Sequence, residues 1–143
     1  MIDINTYEKK WYMINPKINN FIRDIIQAIP EVHNQKISIL LTNDQHIQQL
    51  NHKYRNKNKP TNVLSFPYED FADGTIGDVI LSLETIIAES KDANISVQEH
   101  IAHMTIHGIL HLLGYDHQEE SEALVMEDLE DKIMQQLQDA KLF

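Results

Sequence analysis

The sequence predicts a single α+β domain in which helices cover a small mixed β-sheet. Its 143 residues fit one domain with one hydrophobic core. Short β-branched segments alternate with longer amphipathic ones, which gives the element order β-α-β-α-β-β-α-α-α. No repeat, low-complexity tract or Pro/Gly-rich linker divides the chain. We therefore expect residues 1–143 to form one domain, with its sheet packed against helices.

The first half of the chain predicts two strands and two helices. Residues 2–6 are consistent with a short edge strand, and residues 36–41 are aliphatic and β-branched, as in a buried strand. Residues 11–29 carry apolar side chains at helical spacing and are followed by Pro30, so they predict one helix. Thr42 or Asn43 can cap the next helix. Three residues share the apolar face of that helix: Ile47, Leu50 and Tyr54.

The second half predicts a hairpin followed by three helices. Residues 62–66 and 76–83 form strands, and residues 67–75, which include Asp73 and Gly74, form a hairpin connection between them. Residues 84–90 form a short helix. Ser96 and Glu99 match a capping box for a helix that ends near Leu113. Residues 121–137 form an acidic helix, with an apolar stripe of Leu124, Met126, Leu129, Ile133 and Leu137.

Composition excludes several classes of protein. With 42% hydrophobic and 24% charged residues, the chain resembles an ordinary globular protein rather than a disordered one. It contains no run of about 18 apolar residues, and its first ten residues carry charges instead of a signal-peptide core. We therefore expect a cytoplasmic protein with no membrane partner. Cysteine is absent, so a metal would have to be held by nitrogen and oxygen atoms.

Charge is distributed unevenly along the chain. The net charge is -10, yet residues 1–60 carry +4 and residues 61–143 carry -14. Four basic residues form one short run: Lys53, Arg55, Lys57 and Lys59. A local basic patch of this kind is what contact with phosphate requires. A solvated surface loop is the alternative interpretation of the same run.

Three histidines predict a metal site at a helix end. His107 and His111 are four residues apart, so their imidazoles leave one face of the helix, where they can bind one zinc ion. Gly114 can end the helix in a left-handed conformation, and His117 can then return to the same face. Three protein ligands leave one position for water, which is typical of catalytic zinc. Nickel and copper also suit imidazole ligands.

Two further histidines lie on the same helical stripe. We interpret His100 and His103 as core or capping residues, and support of a ligand imidazole is a second interpretation for His103. The metzincin proteases share the spacing of the three metal ligands, but they carry glutamate directly after the first histidine. That position is Gly108 here. Glycine cannot accept a proton from a metal-bound water, which argues against peptide hydrolysis by the usual route.

Two segments resemble a known family. They are residues 107–117 (HGILHLLGYDH) and residues 50–67 (LNHKYRNKNKPTNVLSFP), and Gly77-Asp78 before an aliphatic strand matches as well. The chain thereby resembles the YbeY family, single-strand-specific metallo-endoribonucleases of ribosomal RNA maturation and ribosome quality control. Asn58 departs from the acidic residue expected in many members.

The resemblance implies a set of functional residues and partners. It assigns the three zinc ligands to His107, His111 and His117, and the functionally important arginine to Arg55. It also implies an α+β fold with the metal at the end of a cleft, and association with the small ribosomal subunit. The expected function is a zinc-dependent endoribonuclease that acts on single-stranded RNA, including the 3′ end of 16S ribosomal RNA.

Chemistry suggests roles for the remaining candidates. The guanidinium of Arg55 can hold the scissile phosphate in a bidentate pair. Asp116 can orient a ligand imidazole or relay a proton, and orientation is the preferred interpretation. The flanking RNA backbone can be tracked by the three lysines of the basic run, Lys53, Lys57 and Lys59. We interpret Tyr54 and Phe66 as core aromatics, with stacking on an unpaired base as the alternative.

Several questions stay open at the level of sequence. No general base is identified, and the nucleophile is either a metal-activated water or a ribose 2′-OH. The sequence predicts neither the RNA bond cleaved, nor protein partners, nor oligomeric state. Rival functions are a metallohydrolase of a non-RNA substrate and a ribosome-assembly factor with a structural metal. A metal-storage or sensor protein is the least favoured, because one site per chain stores little.

Overall fold

A computed structural model describes residues 1–69, 73–116 and 118–143 of the chain. Within these residues there are four strands and six α-helices, together with a single 3-10 turn at Pro30–Val32. The strands are β1 (Ile2–Thr6), β2 (Lys36–Thr42), β3 (Val63–Pro67) and β4 (Thr75–Ser82). The helices are α1 (Trp11–Ile14), α2 (Ile18–Gln27), α3 (Asp44–Arg55), α4 (Leu83–Ala93), α5 (Val97–Leu112) and α6 (Glu120–Asp139). The predicted α+β class is confirmed.

The four strands form one mixed sheet in the order β1-β2-β4-β3. β1, β2 and β4 are parallel, whereas β3 runs antiparallel to β4. The predictions of an edge strand at residues 2–6 and of paired strands β3 and β4 are confirmed. Gly74 adopts a positive φ of 84° before β4, as a tight reversal requires. Residues 70–72 of the predicted connection lie outside the described residues.

Each face of the sheet packs against different helices. Alternate residues of β2 and β4, among them Ile39 and Val79, enter a large core with α2 and α5. The opposite face forms a smaller cluster with α3, in which Ile47, Leu64 and Ile80 are buried. α5 lies at the centre of the fold, because it contacts the sheet on one side and α2, α4 and α6 on others. Among the residues described, no helix is long and apolar enough to cross a bilayer.

The predicted helix at residues 11–29 is wrong in its extent. The structure divides it into α1 and α2, with Asn15 in an extended conformation between them. Pro16 explains the break, because its ring excludes the helical conformation from the preceding residue and it has no N–H to donate. α1 is nevertheless held firmly: the Trp11 side chain is fully buried and its Nε1 donates to the Thr42 carbonyl at 2.9 Å.

Two side chains predicted to be buried are exposed. Tyr54 is 60% exposed, so its interpretation as a core aromatic is wrong. Its ring rests on Phe66 with a centroid separation of 5.5 Å, and because β3 is an edge strand the outer face of Tyr54 remains open. Leu124 is 61% exposed. α6 instead buries an acidic residue, Glu130, on the same face as its apolar core residues Met126, Ile133 and Leu137.

Candidate metal centre

An open cleft of about 420 Å³ lies between β3, the end of α3 and the second half of α5. Its lining brings together three predicted site residues from two helices: Arg55, His107 and His111. Asp116, which follows α5, lines the same cleft, as does Asn62 immediately before β3. The cleft therefore contains four of the eight site residues selected from sequence, although these four lie up to 61 positions apart along the chain.

α5 is seated on the sheet by a close contact at Gly108. A Cβ atom at this position would lie only 2.7 Å from Val79 Cγ1 and 3.0 Å from Val63 Cγ2. Ser65 Oγ donates to the Gly108 carbonyl at 2.7 Å, which joins β3 to the helix. Because residue 108 faces the sheet, the neighbouring His107 is turned about 100° away and faces the cleft.

The start and end of α5 follow the sequence signals. Ser96 Oγ accepts from the Glu99 N–H at 3.1 Å, as the capping box predicted. At the other end Gly114 has a φ of 99°, its N–H donates to the His111 carbonyl, and the Tyr115 N–H donates to the Leu110 carbonyl. These two bonds define a Schellman motif. The turn brings the Tyr115 carbonyl to the His111 ring, where it accepts from Nδ1 at 3.0 Å.

The imidazoles of His107 and His111 point their Nε2 atoms at each other. The two Nε2 atoms are 3.2 Å apart, and the rings cross at 83°. Each Nδ1 already has an oxygen acceptor, Glu130 for His107 and the Tyr115 carbonyl for His111. A neutral imidazole that donates from Nδ1 carries its lone pair on Nε2. Two lone pairs therefore face one point in the cleft.

That arrangement fits a tetrahedral zinc ion. With zinc–nitrogen bonds of 2.0–2.1 Å, two imidazole nitrogens of one tetrahedron lie about 3.3–3.4 Å apart. The separation of 3.2 Å between His107 Nε2 and His111 Nε2 is close to this value. His117, the third predicted ligand, lies outside the described residues, and among those that are described no three histidine or acidic side chains group to hold a metal. The structure therefore brings together two of the three histidines that were predicted as ligands, His107 and His111.

Glu130 is the main residue that sequence reasoning missed. This α6 carboxylate is 5% exposed, and it accepts from His107 Nδ1 at 2.5 Å and from His103 Nε2 at 3.3 Å. Burial alone would raise the pKa of Glu130, but the hydrogen bonds from His103 and His107 outweigh it and lower the pKa to about 2. The hydrogen bond to Glu130 in turn raises the pKa of His103. The supporting interpretation of His103 thus has a structural basis.

A second acidic residue organises the wall of the cleft. Glu89 on α4 accepts from the His100 Nε2 at 2.9 Å and from Asn62 Nδ2 at 2.9 Å. His100 is 8% exposed, in agreement with its interpretation as a core residue. The carboxylate holds the Asn62 amide in place where β3 begins, beside the histidine pair.

The basic run follows the cleft around the end of α3. Arg55 is the last residue of α3 and lines the cleft, whereas the three lysines of the run are exposed outside the lining. Asn56 ends the helix with a φ of 57°. Asn51 holds the loop that follows against α3 through two hydrogen bonds. Its Nδ2 donates to the Lys59 carbonyl at 2.9 Å, and its backbone carbonyl accepts from the Lys57 N–H. The cationic loop therefore has a fixed path.

Fold and cleft together define a class: a small α+β protein that presents a histidine pair and an arginine in one open cleft. Residues 3–138 match the family described as "Endoribonuclease YbeY". The chain belongs to this family, as the resemblance in its motifs predicted.

Curated relatives agree over nearly the whole chain. The sequence is 44% identical over 143 aligned positions to a protein named "Endoribonuclease YbeY" from Ehrlichia canis, which covers 96% of this chain and 93% of that protein. It is 43% identical to the protein of the same name from a Wolbachia of Drosophila simulans, with 96% and 95% covered. A third, from Bartonella bacilliformis, is 47% identical over 107 positions, with 71% of this chain and 68% of that protein covered.

One solved structure has the same fold. The solution structure of TM1509 from Thermotoga maritima superposes with a TM-score of 0.64 at 25% sequence identity. The match covers 94% of this chain and 87% of the other. The arrangement of helices on a mixed sheet is therefore shared well beyond the level of close sequence similarity.

Proposed function

We propose that this protein is a zinc-dependent endoribonuclease that cleaves single-stranded RNA in the cytoplasm. Its proposed role is ribosomal RNA maturation, including the 3′ end of 16S ribosomal RNA, and ribosome quality control in association with the small ribosomal subunit. Membership of a family named for endoribonuclease activity supports the RNA substrate. The observation that carries the proposal is the pair of converging Nε2 atoms of His107 and His111 beside Arg55 in one cleft.

His107, His111 and His117 are the residues that would hold the zinc ion. When bound, zinc supplies Lewis-acid chemistry, which activates water and polarises a phosphoryl oxygen. Glu130 and the Tyr115 carbonyl fix the rings of His107 and His111 so that each directs a lone pair into the cleft. The nitrogen-only ligand set suits zinc, and the absence of cysteine is consistent with an open catalytic site.

Arg55 is suited to bind the scissile phosphate. Its planar guanidinium can form two parallel hydrogen bonds to phosphate oxygens, and it reaches the cleft from the helix opposite the histidines. Lys53, Lys57 and Lys59 lie exposed around it, where they can contact the phosphates on either side. Asp116 lines the same cleft and is assigned to orienting a ligand imidazole.

The packing of α5 disfavours a peptidase. A glutamate general base at position 108 would have to occupy space already filled by Val79 and Val63. The cleft also contains an arginine, Arg55, together with the histidine pair. Both features suit an anionic phosphodiester better than a peptide.

The test is cleavage of a labelled single-stranded RNA by purified protein, with zinc content measured on the same samples. His107→Ala should lose both cleavage and zinc, whereas Arg55→Ala should lose cleavage and keep zinc. Arg23→Ala is the matched control for the arginine, because Arg23 is the other arginine of the chain and lies on α2. It should cleave like the wild type.

Substrate form and metal dependence complete the experiment. A duplex of the same sequence should be cleaved far more slowly, and chelation should abolish cleavage until zinc is restored. Equal cleavage by the wild type, His107→Ala and Arg55→Ala would identify a contaminating nuclease and overturn the proposal. Loss of zinc from Arg55→Ala would overturn the division of roles between the arginine and the histidines.

A further inference from the structure

A second groove, of about 490 Å³, lies on the opposite face of the sheet from α5. Its walls include Tyr54 from α3 and two aromatic residues of the β3 region, Phe66 and Tyr68. Ser38 and Asp78 lie on its floor. We call it the tyrosine groove. The small α3 cluster covers only part of this sheet face, so the groove is open to solvent.

Strand register places an aromatic ring beside hydrogen-bonding groups in this groove. Phe66 pairs with Asp78 across β3 and β4, and Asp78 pairs with Ser38 across β4 and β2. Paired residues point to the same face, and neighbouring strands are about 4.8 Å apart. The three side chains therefore form a row about 10 Å long, which is enough to seat the ring and the edge of one nucleobase.

The tyrosines of the groove are available to a ligand. Tyr54 is 60% exposed and Tyr68 is 37% exposed, so both rings present accessible surface at the groove. The Tyr68 hydroxyl is hydrogen-bonded to the Asp78 carboxylate, and burial followed by this hydrogen bond raises the pKa of Tyr68 to about 12. Tyr54 also lies 5.1 Å below the ammonium of Lys53, a cation that an RNA phosphate can share.

The tyrosine groove and the histidine cleft are neighbours at the end of α3. Tyr54 and Arg55 are consecutive residues, with Cα atoms about 3.8 Å apart, yet one lines the groove and the other lines the cleft. β3 forms the wall between them, because Ser65 lines the cleft and Phe66 lines the groove. An RNA chain whose phosphate is held at Arg55 would have to pass only the edge strand β3 to place a neighbouring base in the tyrosine groove.

We infer that the tyrosine groove is a nucleobase subsite that binds a flanking base of single-stranded RNA by stacking on Tyr54 and Phe66. The inference rests on the proposed function, because the RNA path starts from the phosphate held at Arg55. The Asp78 carboxylate accepts hydrogen bonds, and the exocyclic amino group of cytosine can donate to it. The only ring donor of uracil, N3–H, lies between two carbonyl oxygens that a carboxylate repels, so cytosine is favoured over uracil. A base that is paired in a duplex cannot enter, which accounts for a single-strand preference.

Aromatic rings combined with a nearby cation favour single-stranded RNA as the occupant. Lys53 lies over the Tyr54 ring and begins the basic run, and the rings of the groove alternate with polar groups instead of forming a continuous apolar surface. Aromatic stacking beside a cationic backbone path is the usual means of binding single-stranded nucleic acid.

Binding of a fluorescent 2′-O-methyl oligocytidine to the zinc-loaded protein tests the subsite without requiring turnover. The oligonucleotide is checked for integrity on a gel after each titration. Tyr54→Ala should raise Kd by about tenfold, which is the usual loss of affinity when one stacked base loses its aromatic partner. Tyr54→Phe should keep Kd within about twofold of wild type. Tyr12→Ala, which removes another exposed tyrosine on α1, is the matched control and should bind like the wild type.

Cleavage kinetics then separate the subsite from the proposed function. Tyr54→Ala should raise KM for a long substrate and leave kcat nearly unchanged, and Asp78→Asn should reduce the preference for oligocytidine over oligouridine. If the wild type cleaves RNA but Tyr54→Ala and Tyr12→Ala bind it equally, the subsite is overturned while the nuclease stands. In that case the exposed rings of the groove would be assigned to contact with a protein segment instead of RNA. If the oligonucleotide binds through Tyr54 but no RNA is cleaved, the subsite stands and the nuclease proposal fails.

Discussion

Removing the Glu130 carboxylate is expected to weaken zinc binding although Glu130 is not a predicted ligand. Its Oε1 accepts from His107 Nδ1, which keeps the proton off Nε2 and directs the Nε2 lone pair at the cleft. In Glu130→Ala the His107 ring loses that acceptor. The ring can then take the other tautomer or turn away, and either change removes a ready ligand from the site.

The geometry sets the size of the effect. The 2.5 Å bond to His107 is short and charge-assisted, and the Glu130 side chain is 7% exposed, so little solvent screens it. A hydrogen bond to a charged group contributes about 1.5–3 kcal/mol, which corresponds to roughly 10- to 150-fold in an equilibrium constant. Loss of such a partner costs a metal site about 10- to 100-fold in affinity. We therefore expect zinc Kd to rise by about 10- to 100-fold in Glu130→Ala.

Glu130→Gln refines the test. The carboxylate has one oxygen for His107 and one for His103, whereas an amide has a single oxygen. Only one of the two histidines can keep its acceptor, so the loss of zinc affinity should be smaller than in Glu130→Ala. Zinc Kd is measured by competition with a chromophoric chelator. Circular dichroism is recorded on the same samples to show that both variants are folded.

Glu31→Gln is the matched control, since it makes the same change of charge at an exposed glutamate on the 3-10 turn before β2. It should bind zinc like the wild type. Nitrogen-15 spectra of the metal-free protein should show His107 protonated at Nδ1 in the wild type and in mixed tautomers in Glu130→Ala. Equal zinc Kd values for Glu130→Ala and Glu31→Gln would show that the carboxylate does not set the ligand tautomer.

Three further perturbations test the packing around the site. In metal-free protein, the lowered pKa of Glu130 stabilises the fold above pH 4.5, its ordinary pKa, and this effect is lost as pH falls toward about 2. The raised pKa of His103 stabilises the fold below pH 6.5, its ordinary pKa, and this effect is lost at higher pH. Urea titrations of Glu130→Gln should therefore show the largest loss in free energy of unfolding between pH 4.5 and 6.5, and a loss that is independent of pH would contradict the pairing. Gly108→Ala places a methyl group 2.7 Å from Val79 Cγ1, so the free energy of unfolding should fall by about 1–2 kcal/mol although alanine favours the helix more than glycine does. A variant more stable than the wild type would refute the contact. Asn51→Ala removes the hydrogen bond to the Lys59 carbonyl, so the free energy of unfolding should fall by about 1 kcal/mol and amide hydrogen exchange in residues 57–59 should become faster. Unchanged exchange would mean that the loop is held by other contacts.

Sequence patterns predicted the elements that local chemistry determines. The Ser96 cap, the Gly114 stop and the aliphatic, β-branched strand at residues 36–41 are each specified within a few residues, and all are present. The helix at residues 11–29 was misjudged because its apolar spacing continues through Pro16, whose backbone effect overrides side-chain periodicity. Burial of Tyr54 was misjudged for a different reason: whether a face is covered depends on which strand lies at the edge of the sheet, and that is a non-local property.

The site shows the same division between local and non-local information. The spacing of His107 and His111 alone places their rings one turn apart, as the structure has them. Glu130 comes from another helix, and nothing near the histidine motif points to it. One signal was present: Glu130 lies four residues after Met126 and three before Ile133, so it interrupts the buried stripe of α6. An acidic residue at a core position needs a partner, and the histidines of α5 are that partner.

Gly108 explains why a protein with metzincin-like spacing need not share metzincin chemistry. Residue 108 is turned about 100° from His107, toward β3 and β4, where Val79 and Val63 already occupy the space that a Cβ atom would need. A glutamate introduced there would have to displace the sheet before it could reach the cleft. The same close approach presses α5 onto the strands and turns His107 toward the cleft that Arg55 lines. The packing that excludes the protease base is thus the packing that directs the histidine pair into the cleft where we propose that Arg55 binds phosphate.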